Sequence, residues 1–98
     1  MPLKWLKRPG NLSLVAGQEL ELTCSATGSS PRVKWFKVVD TVHVRQKLVS
    51  DGPVWRKKPA LATDSGRYMC QVSSGVEEPL ITYFNLRIQS KKLVELTS

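Results

Sequence analysis

Asp64-Ser65-Gly66-Arg67-Tyr68-Met69-Cys70 decides how this 98-residue chain is read, together with Cys24 and Trp35 upstream. Cys70 stands 46 residues after Cys24, Trp35 eleven after that first cysteine, and Tyr68 two before the second. Around these anchors apolar and polar residues alternate. Leu20, Leu22 and Cys24 interleave with Glu19, Glu21 and Thr23, the period-two pattern of a strand with one buried and one wet face. Val33 with Trp35, then Tyr68, Cys70 and Val72, then Thr82, Phe84, Leu86 and Ile88 repeat the pattern. Short alternating segments separated by Gly- and Pro-containing turns predict an all-β chain.

The combined pattern Cys–Trp–Asp-x-Gly-x-Tyr-x-Cys, carried by Cys24, Trp35, Asp64, Gly66, Tyr68 and Cys70, resembles the immunoglobulin superfamily. The resemblance implies a two-sheet antiparallel sandwich. Cys24 and Cys70 bridge its sheets, Trp35 packs on the bridge, and the Tyr68 hydroxyl ties down a corner by bonding backbone near Ala62 to Asp64. A first strand over Leu3, Trp5 and Leu6 breaks at Pro9-Gly10 and resumes from Leu12 to Val15. That break, the Val15-Ala16-Gly17 turn and the short span from Trp35 to Asp64 resemble the I-set or a related intermediate set. Lys34-Trp35-Phe36-Lys37 with the run from Asp64 to Cys70 is similar to the immunoglobulin module of neuregulins. Asp64-Ser65-Gly66, Ser73-Ser74 and Thr82-Tyr83-Phe84 are similar to the first immunoglobulin domain of fibroblast growth factor receptors. Both imply a growth-factor or receptor-type parent.

Two stretches depart from the pattern. From Val38 to Val49 alternation blurs, and Val42, Val44, Leu48 and Val49 suggest one or two short strands. Strand E is expected over 54–58, but counting back from Asp64 places its usual apolar pair on Trp55 and Lys57. Either the strand is short or a bulge shifts its register, with Val54 and Leu61 filling the space. Asp64 is expected to pair with Arg45, by resemblance to variable-type domains. Residues 1–90 read as one domain, and 91–98 as a tail or linker.

Composition bounds the function. A chain this long buries roughly 60–70 % of its unfolded surface as one domain. No apolar run approaches the ~20 residues of a membrane span, so no direct membrane insertion is expected. Met1-Pro2 without an apolar leader reads as the start of a domain taken from a longer parent. Two cysteines fit one disulfide, which persists in oxidising surroundings and points to a secreted or cell-surface parent. No Cys/His cluster has zinc spacing, and no cofactor is implied. His43 is the only histidine, with no nucleophile or acid beside it, and no triad or phosphate loop is present. The reading is therefore not an enzyme.

Charge is the remaining signal. Fifteen Lys and Arg against eight Asp and Glu give +7. Eight of the bases fall between Arg32 and Lys58, namely Arg32, Lys34, Lys37, Arg45, Lys47, Arg56, Lys57 and Lys58, opposed by Asp40 and Asp51. Such a concentration draws polyanions by counterion release. In an oxidising compartment the polyanion is a glycosaminoglycan such as heparan sulfate. The competing reading is solubility and the protection of strand edges. Nucleic acid is set aside, because Trp5, Phe36, Trp55 and Tyr83 are scattered rather than interleaved with the bases. Asn11-Leu12-Ser13 is an N-glycosylation sequon on an expected exposed edge. Two function classes follow. One is an extracellular interaction module of a receptor, adhesion protein or growth factor, with an unidentified protein ligand and heparan sulfate as co-ligand. The other is a structural spacer or actin-binding domain of an intracellular muscle or cytoskeletal protein.

Overall fold

The computed structural model describes residues 2–91. Nine strands run in the order β1 (Lys4–Lys7), β2 (Leu12–Val15), β3 (Leu20–Thr23), β4 (Ser25–Thr27), β5 (Arg32–Asp40), β6 (Arg45–Asp51), β7 (Val54–Lys57), β8 (Gly66–Ser73) and β9 (Leu80–Gln89). One layer is a five-stranded sheet ordered β2-β9-β8-β5-β6. The other is built from the pairs β1–β4 and β3–β7, joined through Cys24, which separates β3 from β4. All pairings are antiparallel except β2 on β9, which is parallel. The expected tail at 91–98 lies almost wholly outside the described residues.

The alternation that marks the strands also fills the core. Leu20, Leu22 and Trp55 from one layer meet Val33, Trp35, Tyr68, Val72, Phe84, Leu86 and Ile88 from the other, all at most 9 % exposed. Cys24 and Cys70 bridge the two layers with Cα atoms 6.7 Å apart. Trp35 lies fully buried, and its indole N–H donates to the Gly52 carbonyl at 2.8 Å. Phe84 meets its ring edge-on at 5.9 Å, and Trp55 lies 5.8 Å away. These are the separations at which tilted rings attract beyond the area they bury.

The two ambiguous stretches resolve differently. β5 runs on to Asp40, a turn takes residues 41–44, and β6 returns, so the blurred region is one hairpin. Val42 and Val44 occupy the turn and are exposed, rather than belonging to strands. The Asp40 carboxylate accepts from the backbone N–H groups of Val42 and His43, the local bond by which Asp favours a turn over a strand. The E strand, β7, is short and in plain register with β3, with no bulge. Leu22 opposes Trp55 and Leu20 opposes Lys57. Leu61 is half exposed, and Ala60 is the buried residue beyond the strand end.

Candidate functional site

The corner that ends the sandwich is organised by Asp64. Ala62–Asp64 form a single 3-10 turn. The Asp64 carboxylate accepts from the Leu61 backbone N–H at 2.9 Å, and its own carbonyl accepts from the Tyr68 hydroxyl. Its partner is Lys57, whose ammonium lies 2.7 and 2.6 Å from the two carboxylate oxygens. The expected pair with Arg45 does not form, because Arg45 starts β6 opposite Asp40 at the far end of the hairpin. A long flexible side chain at the inward slot of β7 thus replaces an apolar residue with an ion pair. Burial pushes the Asp64 carboxyl up, but the Lys57 hydrogen bond, the Leu61 amide and the charges of Lys57 and Lys37 outweigh it and hold it below 3.8. Burial first, and then the Asp64 charge, push the Tyr68 phenol up to about 12. Gly66 sits at φ +150°, and a Cβ there would lie 3.2 Å from Lys37 Cε, so a side chain would press on the lysine that crosses it.

His43 has an acid beside it after all. Its Nδ1 lies 2.7 Å from Asp40 Oδ2, and this contact holds the Asp40 carboxyl below its ordinary range, aided by the backbone amides. The pair lies on an exposed hairpin and completes the Asp40 turn. The sequence signal was the Asp40-x-x-His43 spacing, which a turn, unlike a strand, folds back on itself.

The eight bases do not form one patch. Arg32 and Lys34 line a depression with Asp51 at the start of β5. Arg56 points away from the core and pairs with Glu21 at 3.0 Å, its register partner on β3. Lys57 is held by Asp64, and Lys58 follows β7 exposed. Lys37 donates to the Thr63 carbonyl at 3.1 Å and lies 5.7 Å from the Tyr68 ring. Lys37, Lys47 and Lys57 share a cleft between β6 and β7, with Val49, Trp55, Asp64 and Tyr68 among its walls. Among the described residues Arg32, Lys34, Arg45, Lys47 and Lys58 carry no ion pair.

The other surface feature is one that sequence reading scattered. Phe36, Met69 and Tyr83 are successive register partners across β5, β8 and β9, on the face of the large sheet that points away from the core. Leu48 opposes Phe36 on β6, and Ile81 opposes Gln71 on β8. Met69 is only 3 % exposed, whereas Leu48, Ile81 and Tyr83 are 46–49 % exposed. Arg67 lies over Tyr83 at 4.9 Å, and the Gln46 amide reaches the Met69 sulfur at 3.6 Å. Trp55, by contrast, joins the core, 4.9 Å from the Tyr68 ring. Asn11 is exposed just before β2, and its side-chain oxygen accepts from the Asn85 backbone N–H at 2.8 Å.

Comparison with known proteins agrees with this architecture. A family model described as "Immunoglobulin domain" matches residues 5–74. Interference hedgehog of Drosophila willistoni is 33 % identical over 82 residues, covering 80 % of this chain and 9 % of that protein. Neogenin of Homo sapiens is 32 % identical over 79 residues, covering 76 % of this chain and 5 % of that protein. The chain thus spans less than a tenth of these relatives. Among solved structures, Dpr11 IG1 bound to DIP-gamma superposes with a TM-score of 0.72 at 22 % identity, over 90 % of this chain and 48 % of that one. Sidekick-1 immunoglobulin domains 1-5 give 0.77 at 16 % identity, over 91 % of this chain and 20 % of that one. The matched range holds both bridge cysteines, Trp35 and the run from Asp64 to Cys70, and this chain belongs to the non-catalytic immunoglobulin-domain family.

Proposed function

We propose that this domain is an extracellular protein-interaction module of a larger receptor, adhesion protein or growth factor, docking protein on the outer face of its five-stranded sheet. The Phe36–Met69–Tyr83 row with Leu48 and Ile81 carries this reading. Alternation normally leaves that face polar, and Leu48, Ile81 and Tyr83, each about half exposed around the covered Met69, are apolar surface of the kind a docking partner covers. Tyr83 beneath Arg67 supplies the aromatic and arginine pairing enriched where binding energy concentrates. The disulfide supports an oxidising compartment. In the complex of Dpr11 with DIP-gamma, an immunoglobulin domain of one protein is bound to those of another, a precedent for this mode of use.

The test is an avidity screen of the secreted domain against displayed extracellular proteins. Binding to a hit is expected to fall at least tenfold in Ile81→Asp and to persist in Val76→Asp, at an exposed residue of the β8–β9 loop. Equal retention in both variants would place the binding surface elsewhere. Mass measurement with alkylation, before and after reduction, separates this reading from the intracellular spacer, whose thiols stay reduced. The same spectra report a glycan on Asn11, whose amide nitrogen carries no hydrogen bond among the described residues.

A second reading is heparan sulfate co-binding, favoured by five bases without ion pairs among the described residues. The Arg56–Glu21 and Lys57–Asp64 pairs argue against β7 as a simple extension of such a surface.

A further inference from the structure

Lys37 and Lys47 oppose one another across the β5–β6 ladder. Like charges directly opposite on a sheet destabilise the pairing, so this placement works against the fold. Lys37 is partly compensated by the Thr63 carbonyl and by the neighbouring Asp64 charge. Lys47 is exposed and has no acidic partner among the described residues. From the facing layer Lys57 enters the same space. The three lysines line a cleft of about 360 Å³, with Trp55 and Tyr68 among its walls. Asp64 is the only carboxylate among its lining residues, so three positive charges less one negative leave the cleft at +2.

We propose that this cleft is an oxyanion subsite, and that its ligand is a sulfate group carried on a sulfated polysaccharide. The proposal rests on the polyanion reading above and narrows it from a diffuse surface to one place. Ammonium groups act as point charges toward a tetrahedral oxyanion, needing no planar fork. Low-dielectric aromatic walls concentrate their field. An oxyanion between Lys37 and Lys47 relieves the repulsion across the ladder, so the feature that costs stability in the free domain favours the bound one. Local rules broken in this way mark functional sites. Asp64 is bonded to Lys57 and not to Lys47.

The experiment follows backbone amides and indole N–H groups by nuclear magnetic resonance in the intact chain. The probes are a heparin-derived tetrasaccharide, sodium sulfate and sodium phosphate, compared at one ionic strength, with the tetrasaccharide titrated at several salt concentrations as well. The tetrasaccharide is expected to move the Lys47 and Val49 amides and the Trp55 indole. Lys47→Gln should weaken it at least fivefold and lower the log–log salt slope by about 1. Lys7→Gln, at an exposed lysine of β1, removes the same net charge and should weaken it less than twofold. Sulfate moving the same resonances at millimolar concentration supports the subsite directly. A response to the tetrasaccharide alone also supports it, with the sugar supplying the rest of the contact. Lys47→Gln should melt no lower than wild type, because it removes a repulsion. Equal weakening by both variants overturns the cleft and leaves the diffuse polyanion reading standing. No response to the tetrasaccharide or sulfate overturns both. A response to phosphate alone overturns the sulfated ligand.

Discussion

Asp64 caps a turn with its carboxylate, accepts the Tyr68 hydroxyl on its carbonyl and holds Lys57. Replacing Tyr68 by Phe removes one hydrogen bond and keeps the ring, so unfolding free energy should fall by about 0.5–1.5 kcal/mol in urea titration. Trp35→Ala, which empties the centre of the core, should cost about 3–5 kcal/mol by the same measure. Asp64 also predicts a pH dependence. Its folded pKa is depressed, so its contribution is full above the unfolded value of 3.8 and is lost as pH falls through the folded value. Wild type should therefore lose melting temperature below about pH 4 more steeply than Lys57→Met, and the two curves should converge in acid. The motif from Asp64 to Cys70 was legible because backbone geometry dictates those residues. The partner of Asp64 was not. Spacing marks Lys57 as a misplaced apolar slot, and only the depth of the corner shows that a lysine stem can fill it while its head reaches the carboxylate.

At the scale of elements, the β5–β6 hairpin shows why alternation failed between Val38 and Val49. Val42 and Val44 carry strand propensity, yet Asp40 and His43 close a turn around them. Val44 takes φ 51°, a left-handed conformation that costs a β-branched residue strain. Val44→Asn, which tolerates that conformation, should raise stability by about 0.5–1 kcal/mol in thermal or urea unfolding. The apolar strip on the outer sheet face was hidden for a related reason. Phe36, Met69 and Tyr83 are far apart in sequence, and only the register across three strands makes them neighbours. Trp55 was legible at this scale: the apolar slot counted back from Asp64 falls on it, and its register opposite Leu22 buries it, which removes it from the scattered aromatics.

For the whole molecule, the bridge between the layers closes a loop of 46 residues. In the chain-entropy model such a closure is worth about 4 kcal/mol, so reducing it, or replacing both cysteines by Ala, should lower stability by that order. That is a large fraction of what a domain of this size possesses. The layer architecture was readable from one motif and four alternating segments, because burial on one face imposes the period of two. The distribution of charge was not readable. Bases adjacent in sequence on β7 point to opposite faces, which is why Arg56 finds Glu21 while Lys57 finds Asp64.

The parallel pairing of β2 with β9 sets how the domain bears tension. Leu12 to Val15 run alongside Leu86 to Gln89 in the same direction. A pull toward the N-terminus on one strand and toward the C-terminus on the other slides the two past each other. The ladder bonds are then loaded together in shear instead of one after another. Leu14 presents its N–H to β9 as Ala16 does, whose N–H donates to the Gln89 carbonyl at 2.8 Å. Leu14→Pro removes that backbone donor from the ladder, and the force needed to extend the domain between its two ends should drop in single-molecule pulling.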